Sequence, residues 1–157
     1  MAASSWDDFE ELIKSKMREI YSEAAIEHGM NPRNIGEIED ADGFARITGP
    51  CGDTMSMWLK ISDGKILDAR FLTDGCGTTR ASGSMTTEMV KGKSLAQAQK
   101  ISQQDVLDGL GGLPEESEHC ALLAANTLKE AINDCLVSKR ERREKDHPGY
   151  PDMGRKP

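Results

Sequence analysis

The order of hydrophobic and polar residues divides the chain into a helical start, a stretch of strands and a second helical part. Between residues 6 and 28 apolar side chains recur every three or four positions, which predicts one amphipathic helix that stops at Gly29. From residue 43 to residue 73 the period is two, and the dipeptide Asp63-Gly64 is typical of a hairpin turn. This stretch therefore predicts a three-stranded antiparallel meander.

After the strands the pattern becomes helical again. The segment SGSMTTEMV predicts one helix, and two capping pairs, Ser94 with Gln97 and Ser102 with Asp105, predict the starts of two short ones. A long helix is expected from about residue 117 to about residue 140. Because one face of the meander is apolar, we expect the helices to pack on that face, which gives an α+β fold.

Composition and charge narrow the class of protein. The 157 residues include 20 Lys and Arg against 27 Asp and Glu, a net charge of −7, so the basic surface expected of a nucleic-acid binder is missing. No apolar run is long enough to span a membrane, and the acidic N-terminus is unlike a secretory signal. These features favour a cytoplasmic protein without nucleic-acid or membrane partners.

The same patterns suggest three parts of the chain. Residues 1 to 20 are expected to form an N-terminal helical extension, and residues 21 to 138 a single globular domain. Residues 139 to 157 carry seven basic against four acidic residues and end in a segment rich in proline and glycine, so they are expected to be a basic, disordered tail.

Four cysteines are the candidates for chemistry, because in a reducing compartment cysteines bind metal or react more often than they form disulfides. Cys51 lies in GPCGD between two strands, and Cys76 lies in DGCGT between a strand and a helix. Cys120 follows His119 near the start of the last helix, where the helix dipole is expected to favour the thiolate. Cys135 continues an apolar stripe of that helix and is expected to be a core residue.

Three cysteines at the ends of separate elements can converge at one edge of the fold. Three thiolates with one carboxylate or imidazole suit either zinc or an iron-sulfur cluster. Unrelated buried cysteines are the alternative, since the spacing is not that of a zinc finger.

Several segments, in order, resemble the IscU/NifU-type iron-sulfur cluster assembly scaffolds. The resemblance covers about residues 21 to 137 and implies the same fold, a small antiparallel sheet with helices packed on it. The matching segments are YSEAAIEHGMNPRNIG, CGD, DARFLTDGCG, TEMVKGKSLAQAQKIS, LP and HC.

The resemblance implies a scaffold and carrier, not an enzyme. By position the cluster ligands are Cys51, Asp53, Cys76 and Cys120, with His119 as a substitute ligand. The family's chemistry implies that a cysteine desulfurase passes persulfide sulfur to Cys120 and that an electron donor such as ferredoxin reduces it. The finished cluster, for which 2Fe-2S is the expected type, then moves to apo iron-sulfur proteins.

The chain departs from the family pattern at two places. Where many members have a Leu-Pro-Pro-Val-Lys segment for chaperone docking, this chain reads LPEESEH, so release through an Hsp70-type chaperone is not expected. Arg80 stands where a small apolar residue is usual. It is expected to pair with an acidic partner or with the charge of the cluster, or else to be a solvated helix residue.

Two other functions compete with the scaffold. The first is the zinc-bearing sulfurtransferase branch of the same fold, in which zinc occupies the same four ligands and the protein accepts persulfide sulfur from a cysteine desulfurase. That branch usually carries an insertion between the second and third cysteine regions and lacks the histidine before the last cysteine. The compact interval between Cys76 and Cys120 and the presence of His119 therefore favour the scaffold. The second is a structural zinc protein that acts as an interaction module. Zinc in the empty scaffold, the nuclearity of the cluster and a homodimer bridged by it stay open.

Overall fold

Three strands, β1 (Gly43–Thr48), β2 (Thr54–Ser62) and β3 (Lys65–Thr73), form an antiparallel meander in that order. The computed structural model describes residues 5 to 146. Asp63 and Gly64 connect β2 to β3, and their positive φ angles of 54° and 75° are those of a two-residue hairpin turn. The meander predicted from the period of two is confirmed.

Six α-helices accompany the sheet in the described part of the chain. The two short helices begin with the predicted capping boxes, in which each serine side chain accepts from the third backbone N–H of the helix. None of the described helices is both long and apolar enough to cross a membrane. The helices are α1 (Ser5–Arg18), α2 (Glu23–Met30), α3 (Gly77–Val90), α4 (Leu95–Gln99), α5 (Gln103–Gly109) and α6 (Glu118–Asp146).

One face of the sheet carries the core. Helix α6 packs on β1 and β2, and α3 packs on β3. Met55, Met57 and Leu59 of β2 are fully buried beneath these helices, as is Phe71 of β3. Trp58, which alternates with these residues, lies on the opposite face beside its β1 neighbour. The predicted α+β architecture, with helices on one face of the sheet, is confirmed.

The single helix predicted between residues 6 and 28 is wrong, because the chain forms two helices there. Ser22 starts α2, and its hydroxyl oxygen accepts from the Ala25 amide at 3.0 Å. The same hydroxyl donates to the Leu110 carbonyl after α5. A serine that satisfies a new helix start and a tertiary contact ends the first helix, although the apolar period continues through it.

Helix α1 lies outside the core. None of its residues is buried, and Trp6 and Phe9 are 70% and 51% exposed, with ring centroids 5.9 Å apart. The apolar side chains of α1, which contributed to the helix prediction, therefore lie mostly on the surface.

The last helix is longer than predicted. Helix α6 continues to Asp146, so residues 139 to 146, expected in a disordered tail, are helical. Lys, Arg and Glu fill this stretch and have high helix propensity, and Arg142 Nη2 also donates to Asp42 Oδ1 at 3.3 Å. The rest of the predicted tail, residues 147 to 157, and residues 1 to 4 of the extension lie outside the described residues.

Candidate functional site

Three segments bring four of the five predicted ligands together. Asp53 ends the loop between β1 and β2, Cys76 is the N-cap of α3, and His119 and Cys120 lie in the first turn of α6. We refer to Asp53, Cys76, His119 and Cys120 as the thiol cluster. Each of its members is linked to another, directly or through one hydroxyl group.

Two threonine hydroxyls lie between the members of the thiol cluster. Thr78 Oγ1 is 3.1 Å from Cys76 Sγ and 3.4 Å from Cys120 Sγ. Thr79 Oγ1 donates to Asp53 Oδ2 at 2.8 Å and lies 3.4 Å from Cys120 Sγ. The carboxylate and both sulfurs therefore share one hydrogen-bonded patch at the start of α3.

His119 borders this patch on the α6 side. Its Nε2 atom is 3.7 Å from Cys120 Sγ, a distance at which sulfur and nitrogen still interact. An imidazole at this place is a metal-ligand type, which fits the substitute role implied by the resemblance.

Cys51 stands apart from the others. Its side chain is exposed in the loop before β2, next to Gly52, whose φ of +90° lets the loop turn sharply. No hydrogen bond in the described residues joins its thiol to the thiol cluster. Among residues 5 to 146, no three side chains of His, Cys, Asp or Glu are placed so that they could hold one metal ion as they stand. Four of the five predicted ligands thus lie together, Cys51 lies apart from them, and the described residues do not form a closed coordination geometry.

The two thiols of the cluster differ in acidity. The hydrogen bond with Thr78 lowers the pKa of Cys76 below its usual range, and the Thr78 and Thr79 backbone amides act in the same direction. Burial raises the pKa of Cys120, which is only 2% exposed. The expectation that the helix start would favour a thiolate at Cys120 is therefore wrong. The more acidic thiol is Cys76, at the start of α3.

Cys135 is a core residue, as predicted. It is buried on α6, and burial raises its pKa to about 12, so it is not a thiolate at neutral pH. Gly43 at the start of β1 packs against the Cys135 sulfur and the Ala131 carbonyl so closely that a Cβ there would overlap both. This cysteine fills the contact between α6 and the sheet.

Arg80 is exposed on the first turns of α3. Its Nε donates to the Gly29 carbonyl at 3.4 Å, and in the described residues it forms no ion pair. It lines a surface cavity beside Cys76 together with residues of α2. Within this chain, the structure therefore agrees with a solvated helix residue.

The sequence analysis missed Thr78 and Thr79. The available signal was their position just after the DGCG segment, as the second and third residues of α3, too early in the helix to bond a carbonyl four residues back within it. A hydroxyl there is free to contact groups from other segments.

Comparisons with known proteins agree with these observations. The family described as NifU-like N terminal domain matches residues 20 to 142. The iron-sulfur cluster assembly scaffold protein IscU 1 of Archaeoglobus fulgidus is 47% identical over 116 residues, covering 73% of this chain and 76% of the relative. IscU of Escherichia coli K12, with the same scaffold name, is 47% identical over 126 residues, covering 77% of this chain and 97% of the relative.

A solved structure supports the fold independently. The N-terminal NifU-like protein of Brucella abortus aligns with a TM-score of 0.61 over 77% of this chain and 97% of that chain. The two sequences are 21% identical, so this likeness concerns the arrangement of the helices and strands alone.

Proposed function

Since the chain belongs to the family of NifU-like N-terminal domains, we propose that it works as a scaffold that assembles an iron-sulfur cluster and passes it to apo-proteins. The thiol cluster is the observation that carries this proposal. It collects two thiols, a carboxylate and an imidazole from three segments around two hydroxyl groups. Relatives named as scaffolds, nearly half identical to this chain, support the same function.

Cys51, Asp53, Cys76 and Cys120 are the proposed ligands, with His119 as the substitute. The cargo is a 2Fe-2S cluster, whose irons are held by thiolates in most proteins. Zinc, which accepts sulfur, nitrogen and oxygen ligands, can occupy the same residues when the scaffold is empty. Exposed Cys51 is the ligand that must move toward the others for the set to close.

One carboxylate among thiolates makes the proposed site suitable for a carrier. An oxygen ligand is harder than a thiolate and binds cluster iron less strongly. The Asp53 position is therefore the edge at which the cluster is opened for release. A protein that keeps its cluster for electron transfer has no need of such an edge.

Sulfur arrives on a cysteine desulfurase and is accepted by Cys120. In this step the Cys120 thiolate attacks the outer sulfur of the donor's persulfide, the donor's S–S bond breaks, and the donor's cysteine leaves as a thiolate. Because Cys120 is buried and its pKa is raised, acceptance requires a movement that exposes it. An electron donor such as ferredoxin then supplies the electrons that reduce persulfide to sulfide.

The remaining partners follow from this role. Apo iron-sulfur proteins receive the cluster, and a second copy of the chain can share it in a homodimer. The LPEESEH segment replaces the usual docking sequence of an Hsp70-type chaperone, so release does not depend on one. The reduced thiols that the site needs are maintained in the cytoplasm.

Anaerobic reconstitution tests the proposed function. The purified protein is incubated with ferrous iron, cysteine and a catalytic amount of a cysteine desulfurase, and visible absorption, iron and acid-labile sulfide are measured. We expect charge-transfer bands and equal iron and sulfide, lost in Cys51→Ser, Cys76→Ser and Cys120→Ser and kept in the core control Cys135→Ser. A colourless protein that keeps tightly bound zinc and still accelerates the desulfurase would overturn the scaffold in favour of a sulfurtransferase.

A further inference from the structure

Thr78 and Thr79 use their hydroxyl groups differently from Thr87 and Thr127, two other buried threonines. In α3 and α6, Thr87 Oγ1 donates to the Gly83 carbonyl at 2.8 Å and Thr127 Oγ1 to the Leu123 carbonyl at 2.7 Å, four residues back. This is the usual way in which a helix satisfies a buried threonine. The second and third residues of α3 have no such carbonyl, because the helix begins at Gly77.

Their hydroxyls contact the thiol cluster instead. Thr79 is fully buried and Thr78 is 9% exposed, so both hydroxyls need partners inside the protein. The partners are the two sulfurs and the Asp53 carboxylate, at distances of 2.8 to 3.8 Å. These two side chains join the loop before β2, the start of α3 and the start of α6.

The Thr79 hydroxyl serves two acceptors. It donates to Asp53 Oδ2 at 2.8 Å and, at the longer distance of 3.4 Å, to Cys120 Sγ. Since Thr79 has a single hydroxyl hydrogen, the carboxylate and the sulfur share it. Thr79 thus holds a carboxylate and a thiol beside each other without being a metal ligand itself.

We propose that Thr78 and Thr79 are positioning residues that keep Asp53, Cys76 and Cys120 together before iron arrives. This inference rests on the proposed ligand set and adds the groups that orient it. Outer groups that orient metal ligands typically contribute about 10- to 100-fold to metal affinity. Loss of either hydroxyl should therefore weaken metal binding, although no bond to the metal is removed.

Anaerobic titration of the empty protein with Co²⁺ measures this contribution. Cobalt is the probe because its thiolate complexes absorb visibly and need neither sulfide nor a desulfurase. We expect Thr79→Val and Thr78→Val to bind Co²⁺ about tenfold more weakly than the unsubstituted protein, the lower end of the range for orienting groups. Thr79→Ser keeps the hydroxyl and should restore the affinity.

Thr86→Val is the matched control. Thr86 lies in the same helix, is fully buried, and its hydroxyl has no hydrogen-bond partner in the described residues, so the same substitution removes no contact with the ligands. We expect its Co²⁺ affinity to be unchanged. Thermal unfolding of every variant shows that the fold is kept.

Three results would overturn the inference. If Thr78→Val and Thr79→Val bind cobalt as tightly as the unsubstituted protein, the hydroxyls do not position the ligands. If Thr79→Ser is as weak as Thr79→Val, the effect comes from packing of the methyl group. If the unsubstituted protein itself shows no thiolate-to-cobalt absorption, the ligand set, and with it the proposed function, is wrong.

Discussion

Asp53 is the residue on which the proposed release of the cluster depends. Its carboxylate accepts from the Thr79 hydroxyl at 2.8 Å, which places it next to the Cys120 thiol without any ion pair in the described residues. A carboxylate held by one neutral hydroxyl group can exchange between that hydroxyl and iron. In the proposed function, the same residue therefore serves both the empty site and the opening step.

We expect Asp53→Ala to retain the cluster longer than the unsubstituted protein, with a half-time of transfer that is about tenfold longer. Substitutions around metal ligands typically change affinity or activity by this order. Retention is longer because the labile oxygen ligand is lost, while His119 Nε2 lies close by as a replacement donor. The measurement is the rate of cluster transfer to an apo-ferredoxin. Exposed Asp108 provides the control substitution to alanine, and an unchanged rate in Asp53→Ala would contradict the role.

The cysteines should react in the order of their acidity and exposure. Because the thiolate is the nucleophile, iodoacetamide at pH 8 should modify Cys76, whose pKa is lowered, before Cys120, whose pKa is raised by burial. Cys135, with a pKa of about 12, should stay unmodified until the protein unfolds. Mass spectrometry of timed samples gives the three rates. Equal rates at Cys76 and Cys120 would show that Cys120 is accessible in solution.

At this scale the sequence predicts where the cysteines lie in the fold better than it predicts their chemical state. The glycine-flanked positions of Cys51 and Cys76 showed that they lie between elements, and the apolar stripe placed Cys135 in the core. The thiolate expected at Cys120 failed because burial can shift a pKa by several units, whereas a helix dipole contributes about 0.3–1 kcal/mol. Burial of one atom depends on the complete fold, which residue spacing does not reveal.

At the scale of elements, hydrogen bonds of a buried histidine link α2 and the following loop to α3. His28 Nδ1 lies 2.7 Å from Ser84 Oγ, and Arg33 Nη1 lies 2.9 Å from His28 Nε2. The Arg33 backbone amide also donates to Ser84 Oγ at 2.9 Å. A guanidinium can only donate, so His28 Nε2 must accept and the ring must be neutral.

This contact predicts a loss of stability in acid. Burial, with the neighbouring Arg33, lowers the pKa of His28 below its ordinary value of 6.5. The unfolded chain then binds a proton more readily than the folded one, so the stabilisation is complete above pH 6.5 and is lost as the pH falls below it. Melting temperatures measured from pH 7.5 to pH 5 should fall less steeply in His28→Gln. Parallel curves for the two proteins would rule out His28 as the cause.

Local residue patterns were sufficient to predict some of the helices and strands, but not all of them. The strands and the capped helices α4 and α5 were predicted because their signals are local: a period of two, a two-residue turn and a serine three residues before its partner. The division between α1 and α2 was missed because Ser22 is held partly by the Leu110 carbonyl, 88 residues away. The spacing of apolar residues within one segment carries no information about a contact between such distant parts of the chain.

At the scale of the whole molecule, the described residues 5 to 146 form one frame that brings the proposed ligands together from three segments. The sheet and helices α3 and α6 share one buried core, while the proposed ligands lie at the ends of these elements. The frame fixes the starts of α3 and α6 relative to each other, and the loop with Cys51 and Asp53 completes the set. A site built from the ends of separate elements suits the proposed carrier, which must both build and release its cargo.

The most direct test of the scaffold is transfer of a cluster in the presence of a chelator. The reconstituted protein is mixed anaerobically with an apo-ferredoxin and an excess of a chelator that captures free ferrous iron, and circular dichroism follows the cluster. We predict that the ferredoxin signal appears at the same rate with and without the chelator, because the cluster moves intact from one protein to the other. If the ferredoxin remains apo and all the iron is captured, this chain stores iron and sulfide but does not deliver a cluster.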